Sequence, residues 1–263
     1  MHILTRIVRF SLNDQTGPPG TNGFAGIPPM AGFARWYECA VECRAGVNDA
    51  TGYVIDIKTV DKAVRSHVVP MVEEAAGSGR PPAEVLANAA EALRRALPVS
   101  LRALRLSLSP YYSLEMSDAG SILVRQKFDF SAAHRLHSPR LSDEENLRLY
   151  GKCNNPRGHG HNYVVEPAVR IGISEAPLFM LAEFESIVDS EIIRPFDHKH
   201  LNEDTAEFNV EKGGLLPSVE NIARVCFERL SSALSGHRLN PRLLCVTVWE
   251  TDRTSATYPA PRD

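Results

Sequence analysis

A short polar break at Ser117-Asp118-Ala119-Gly120 separates two stretches of this 263-residue chain that read as the same order of elements. Before the break, Ile3 to Ser11 alternates as a strand, a Gly/Pro-rich loop runs from Gly17 to Gly32, and Trp36 to Arg44 reads as a second strand. Thr59 to Val72 is helix-like despite Pro70. Pro82 opens a helix reaching about Leu97, and Leu101 to Leu108 closes the half as a strand. After the break, Leu123 to Phe130 alternates, a long loop follows, and a strand is expected from Gly160 to Ile173. Helices are expected over Glu183 to Ile193 and from Ser218, well suited to N-cap, to about Leu234, with Leu243 to Glu250 as the closing strand. Phe10-Ser11 lines up with Phe130-Ser131, Tyr37 with Tyr163, and Pro81-Pro82-Ala83-Glu84 with Pro217-Ser218-Val219-Glu220. Two explanations stand: a duplication, or the general likeness of any two strand–helix–strand domains. Duplication is the favoured reading, with lobes over residues 1–118 and 121–263.

Composition excludes several classes. A net charge of -3 with 43% hydrophobic and 23% charged residues gives no electrostatic reason to expect nucleic-acid or membrane-surface partners. No apolar run approaches the roughly 20 residues that span a bilayer. The opening Met1 to Arg6 lacks the basic-then-apolar pattern of a secretory signal, so a cytoplasmic location is expected. The five cysteines are odd in number and scattered, unlike a disulfide framework. Cys39 and Cys43 lie on a strand-like segment without a second ligand pair, and Cys226 and Cys245 fall in apolar helical and strand patterns as buried thiols.

The chemistry gathers in the second half. His134, His137, His159, His161, His198 and His200 all fall within residues 134–200. His159 and His161 are two apart at the mouth of a strand, so their imidazoles face the same way. His134 ends the preceding strand. If the two strands are neighbours, a third imidazole joins them, and three neutral imidazoles with an open fourth position describe a catalytic zinc site. Cys153 sits in the loop Tyr150-Gly151-Lys152-Cys153-Asn154-Asn155-Pro156. It is either an incidental loop cysteine or, beside a zinc ion that lowers its pKa, a base or nucleophile. Asp197-His198 has the make-up of an oriented imidazole, but adjacent strand residues face opposite ways, so a loop would be required. Glu250, after a hydrophobic strand, is either a surface carboxylate or an acceptor of paired N–H donors.

The run from Phe130 to Val165, FSAAHRLHSPRLSDEENLRLYGKCNNPRGHGHNYVV, resembles the 6-pyruvoyl-tetrahydropterin synthase family. PFDHKHLN (195–202), PSVENIA (217–223) and WETD (249–252) follow in the family's order, so the resemblance spans nearly all of residues 121–258. It implies an α+β tunnelling fold, here duplicated, in which an antiparallel sheet carries two helices on one face and sheets from several subunits close a barrel. It also implies that His134, His159 and His161 hold Zn2+, that Cys153 is the proton-abstracting thiolate, that Asp197 and His198 complete a triad, and that Glu250 anchors the pterin ring. The implied activity is a carbon–oxygen lyase acting on phosphates, converting 7,8-dihydroneopterin triphosphate to 6-pyruvoyl-tetrahydropterin, as in tetrahydrobiopterin biosynthesis. Lys152, Arg135 and Arg157 suit triphosphate binding or are solvated charges. Where the family usually has Gly and Asp before the helix after the second strand, this chain reads Leu178-Phe179-Met180-Leu181-Ala182-Glu183-Phe184.

The first lobe lacks every one of these groups. Aligned lobes set Asp14 opposite His134, Phe33 opposite His159, Arg35 opposite His161, Val69-Pro70 opposite Asp197-His198, and Ser109 or Pro110 opposite Glu250. A degenerate lobe without zinc ligands is expected. In the family the Asp-His pair reaches the site from a neighbouring subunit, which implies a homo-oligomer with sites at subunit interfaces. The alternatives are a 6-carboxytetrahydropterin synthase on the same substrate and a non-catalytic pterin-binding scaffold.

Overall fold

The structure, a computed structural model, describes residues 1–12, 35–117 and 120–260. The chain forms two compact units, Met1–Val124 with Ile171–Leu178, and Arg125–Arg170 with Phe179–Asp263.

In the first unit, β1 (His2–Leu12) and β2 (Arg35–Ala45) pair antiparallel along their whole length, from His2↔Ala45 to Leu12↔Arg35. Val8, Phe10, Cys39, Val41 and Cys43 turn inward and are buried, as period-two alternation requires. The helical stretch is α1 (Ile57–Ala63), a π turn over Val64–Val68, and α2 (Val69–Ala75). The expected single helix is therefore interrupted just before Pro70. Proline has no N–H to continue the ladder, and the wider turn takes up the mismatch. α3 (Pro82–Ala96) buries Val85, Leu86, Ala89, Ala90 and Leu93 at helical spacing. β3 (Ser100–Ser107) pairs with β2, and β4 (Tyr112–Ser117) pairs with β3. A bidentate contact from Arg6 to Asp61, at 2.9 and 2.8 Å, ties β1 to α1. Asp14, Phe33 and the Gly17–Gly32 loop lie outside the described residues.

The expected strand Leu123–Phe130 is two strands, β5 (Ser121–Gln126) and β6 (Phe128–His134). Lys127 stands between them with its ammonium 5.3 Å from the Trp249 ring centre. Next come α4 (Asp143–Tyr150), a 3-10 turn over Gly151–Asn154, and β7 (His159–Gly172). After α5 (Leu181–Val188), a π turn over Asp189–Ile193 leads into α6 (Arg194–Phe196), β8 (Lys199–His200) and α7 (Leu201–Asp204). α8 (Val219–Ser235) and the hairpin of β9 (Arg242–Thr251) with β10 (Thr254–Tyr258) complete the chain. β7 lies between β6 and β9, antiparallel to both, and β8 adds to β6 in parallel. Ser218 caps α8, whose buried Ile222, Ala223, Cys226, Leu230 and Leu234 cover the sheet. α5 starts at Met180 without a side-chain cap, at the point where the sequence departs from the usual Gly and Asp. No helix of the described residues is long and apolar enough to cross a membrane.

The two units share local detail. Phe10 and Tyr37 are register partners with stacked rings 5.5 Å apart, and so are Phe130 and Tyr163, 5.1 Å apart. Counting along the same ladders, Leu12↔Arg35 corresponds to Ala132↔His161. Each first helix carries a π turn, and Pro70 and Pro195 stand at the same place after it. That match puts Val72-Glu73 opposite Asp197-His198, three residues beyond the Val69-Pro70 expected from sequence. The π turns hold this register, and low identity conceals it.

The segment expected to be a plain loop before Cys153 contains α4, opened by a capping box in which Ser142 and Glu145 each accept from the other's backbone N–H. Asn146 is fully buried beneath it, accepting from Ser138 N and donating to the carbonyls of Ser138, Leu141 and Ser142. Replacing Asn146 with Ala strands several of these groups and lowers stability by about 3 kcal/mol in urea unfolding. A loss within about 0.5 kcal/mol, typical of a surface site, would contradict this role.

Candidate metal centre

The β6–β7 ladder pairs Ala132 with His161 and His134 with His159. His134, His159 and His161 therefore share one face, and each offers a nitrogen within 4.8 Å of the others. His134 Nε2 is 3.1 Å from His159 Nε2. His134 is fully buried, and its Nδ1 lies 2.7 Å from the Pro217 carbonyl just ahead of α8. That acceptor requires the Nδ1–H tautomer and leaves the Nε2 lone pair aimed at its neighbours. Burial pushes His134 down to about 4 against the pull of the Pro217 carbonyl, and the adjacent imidazoles add to the shift. Burial and His161 lower His159 as well, with Glu250 opposing. Both shifts favour the neutral imidazole, the form a ligand takes.

Glu250, at the end of β9, turns its Oε1 to within 3.4 Å of His134 Nε2 and 3.7 Å of His161 Nε2. His161 Nε2 and His159 Nδ1 are buried without a hydrogen-bond partner, as is the Tyr163 hydroxyl beneath them. Converging imidazole nitrogens, one of them orphaned, beside a carboxylate form a donor set that suits a divalent ion such as zinc.

Gly158 precedes the ligand pair with φ +70, and a Cβ there would lie 2.6 Å from His200 Nε2 and 2.9 Å from the His134 carbonyl oxygen. The chain can enter β7 at this angle, close against both groups, because this residue has no side chain.

Cys153 sits half-buried in the 3-10 turn after α4, and its carbonyl accepts from Leu136 N at 2.8 Å. It lines an open cavity of about 870 Å³ together with His159, Arg135 and Lys152. The lowered pKa expected beside zinc belongs to the cation-bound state. In the protein alone, burial first and the charge of Glu250 second hold the thiol above its ordinary value.

Asp197 and His198 meet the requirement for a loop. His198 has φ 55, a left-handed conformation uncommon for a non-glycine residue, and this turns its Nδ1 back to Asp197 Oδ2 at 2.7 Å. Asp197 Oδ1 accepts from Ser131 N at 2.8 Å, and His198 N donates to Ser131 O at 2.6 Å, which docks the pair on β6. The Ser131 N–H, then His198, lowers the Asp197 pKa. The His198 side chain is 82% exposed and lines a different cavity from Cys153, with Gly160, His161 and Asn162. The structure thus brings together His134, His159, His161 and Glu250. It does not bring Asp197-His198 into the cavity lined by Cys153 of the same chain.

The Pro217 carbonyl and Tyr163 shape the centre and were not placed in it from sequence. A backbone carbonyl has no signature in a sequence. Gly158 had one, in its position directly ahead of the ligand pair.

Substituting Gly158 with Ala is expected to lower stability by about 2 kcal/mol or more and to weaken metal uptake, read by urea unfolding and by metal titration. Wild-type behaviour in both would mean that the close approach is not needed. In the metal-free protein, iodoacetamide modification of Cys153 should rise with pH later than that of a free cysteine, and mass spectrometry of the labelled peptide checks it.

The model of the 6-pyruvoyl tetrahydropterin synthase family matches residues 123–261. The human 6-pyruvoyl tetrahydrobiopterin synthase is 39% identical over 137 residues, covering 51% of this chain and 89% of that protein. The 6-carboxy-5,6,7,8-tetrahydropterin synthase of Haemophilus influenzae is 25% identical over 151 residues, covering 51% of this chain and 96% of its own length. Among solved structures, the Caenorhabditis elegans 6-pyruvoyl tetrahydropterin synthase has 35% identity and a TM-score of 0.47, covering 54% of this chain and 96% of that one. The fold is accordingly the α+β tunnelling fold, and this chain belongs to the 6-pyruvoyl tetrahydropterin synthase family of enzymes.

Proposed function

We propose that the chain converts 7,8-dihydroneopterin triphosphate to 6-pyruvoyl-tetrahydropterin and releases triphosphate, with Zn2+ held by His134, His159 and His161. At the coarser level the activity is that of a 6-pyruvoyl-tetrahydropterin synthase or the related 6-carboxytetrahydropterin synthase. The observation that carries the reading is the convergence of three imidazole nitrogens beside Glu250, with Cys153 on the wall of the adjoining cavity. Higher identity to the pyruvoyl-forming relatives, 39% against 25%, favours the pyruvoyl product.

Bound zinc would supply Lewis acidity to the side-chain hydroxyls of the substrate, making neighbouring C–H and O–H protons easier to remove. The rest falls to the chain's own residues. Cys153 takes the proton from the substrate side chain as a thiolate. Asp197 holds His198 by its Nδ1, leaving Nε2 to exchange a proton with substrate. Glu250 accepts the N–H donors of the pterin and fixes the ring. The side-chain carbons are oxidised as the dihydropterin ring is reduced within one molecule, so the overall change balances without an external electron carrier.

Because His198 and Cys153 line different cavities in one chain, the complete site in this reading takes Asp197-His198 from a second copy, in a homo-oligomer whose sheets close a barrel. The first lobe, residues 1–118, acts as a scaffold without zinc. Supporting this, Arg35 occupies the ladder position of His161, and the described residues hold one candidate ligand group.

Zinc-loaded protein incubated with 7,8-dihydroneopterin triphosphate should yield the six-position pyruvoyl product by mass spectrometry. A carboxylated product would move the chain to the other branch, and unchanged substrate would remove the activity. Metal analysis should give one zinc per chain, lost in His134→Ala, while two per chain would overturn the silent first lobe. Co-assembly of the inactive Cys153→Ala and Asp197→Asn variants should regain turnover. Mixed oligomers as inactive as each parent would argue that each chain completes its own site.

A further inference from the structure

Arg135 follows His134 directly, so it leaves β6 at the metal centre. Its peptide is held on both sides by one side chain: Asn202 Oδ1 accepts from Arg135 N at 2.8 Å, and Asn202 Nδ2 donates to Arg135 O at 3.0 Å. The guanidinium then reaches over to the Cys153 turn. Nε donates to the Asn154 carbonyl at 3.2 Å, and Nη2 donates to Asn154 Oδ1 at 3.1 Å. His137 Nδ1 lies 3.0 Å from the same Oδ1, which a second N–H donor satisfies in the Nδ1–H tautomer. The next residue completes the attachment, with Leu136 N donating to the Cys153 carbonyl at 2.8 Å.

Two consecutive residues of the segment that carries His134 thus hold two consecutive residues of the Cys153 turn, through three hydrogen bonds with defined directions. A guanidinium presents its N–H groups in a rigid plane and can meet a backbone carbonyl and a side-chain oxygen at once; an ammonium cannot reproduce that fork. Arg135 lines the Cys153 cavity, as do Lys152 and Asn154. Its position beside a phosphate-bearing substrate suggests an anion ligand, yet two of its N–H directions are already committed to Asn154.

We propose that Arg135 is a positioning residue that sets Cys153 relative to His134 through Asn154, and not primarily a ligand for the triphosphate. The proposal rests on the proton-abstracting role given to Cys153 above. The thiol must approach a substrate carbon whose place is set by the metal centre, and proton transfer tolerates little error in that distance. The clamp refers the thiol to the same strand end that supplies a ligand imidazole.

The test uses the full chain as wild type, Arg135→Lys, Asn154→Ala and the double variant. Iodoacetamide labelling of Cys153, located by peptide mass spectrometry, reads the turn without any need for turnover, because Cys39, Cys43, Cys226 and Cys245 are buried. Freeing the turn should speed labelling about fivefold in each single variant, since access joins thiolate content in setting the rate. Turnover of 7,8-dihydroneopterin triphosphate should fall about 10- to 100-fold in kcat with KM nearly unchanged. The double variant should be no worse than either single one, as expected of two ends of one contact. A raised KM with kcat kept in Arg135→Lys, and wild-type behaviour in Asn154→Ala, would make Arg135 a phosphate ligand and overturn the proposal. Unchanged labelling in both single variants would overturn it as well. If Arg135→Lys does not fold, Asn154→Asp and Asn154→Ala decide: the first keeps the acceptor oxygen and should label like wild type, and the second should not. If wild type shows no turnover, the activity proposed above fails, and labelling alone still decides the positioning role.

Discussion

The antiparallel pairing of β6 with β7 opposes Phe130 to Tyr163 and His134 to His159, and the stacked rings of the first pair are buried on the same face as the imidazoles of the second. Because side chains alternate along a strand, a slip of one residue would carry His159 and His161 to the opposite face and leave His134 alone. Burial of Phe130, Tyr163 and Val165 makes such a slip expensive. The histidine cluster is therefore a consequence of core packing one to two residue pairs away.

The rest of the site hangs from the same strand. Ser131 holds Asp197 and His198 through its backbone N–H and carbonyl, while the segment after His134 holds Asn202 and the Cys153 turn. The left-handed backbone of His198 and the positive φ of Gly158 are local departures from ordinary geometry, and both lie where segments approach the ligand strands closely. The carbonyl of Pro217 reaches His134 because Ser218 fixes the start of α8 one residue later. Backbone groups do much of the orienting here, which leaves the side chains free for chemistry.

The first unit has the same local elements around different residues. It keeps the strand pair, the Phe–Tyr stack and the π turn, with Arg35 at the position His161 takes in the second unit. A ladder can be preserved by its buried apolar residues while positions at its mouth, on the same face, differ.

Sequence alone determined the order of the longer strands and helices through short-range periodicity, and it named His134, His159 and His161 by their spacing and Cys153, Asp197, His198 and Glu250 as candidates through the family resemblance. The capping box at Ser142 was an equally local signal for α4, although that segment was expected from sequence to be a loop. Tertiary structure decided the rest. The division of Leu123–Phe130 into two strands, the three-residue offset that the π turns impose, and the turning of Glu250 toward the imidazoles all depend on partners far away in the chain. So does the grip of Arg135 on Asn154, a contact between groups 19 residues apart. A sequence states which donors and acceptors exist, whereas the folded backbone decides which of them lie within hydrogen-bond reach.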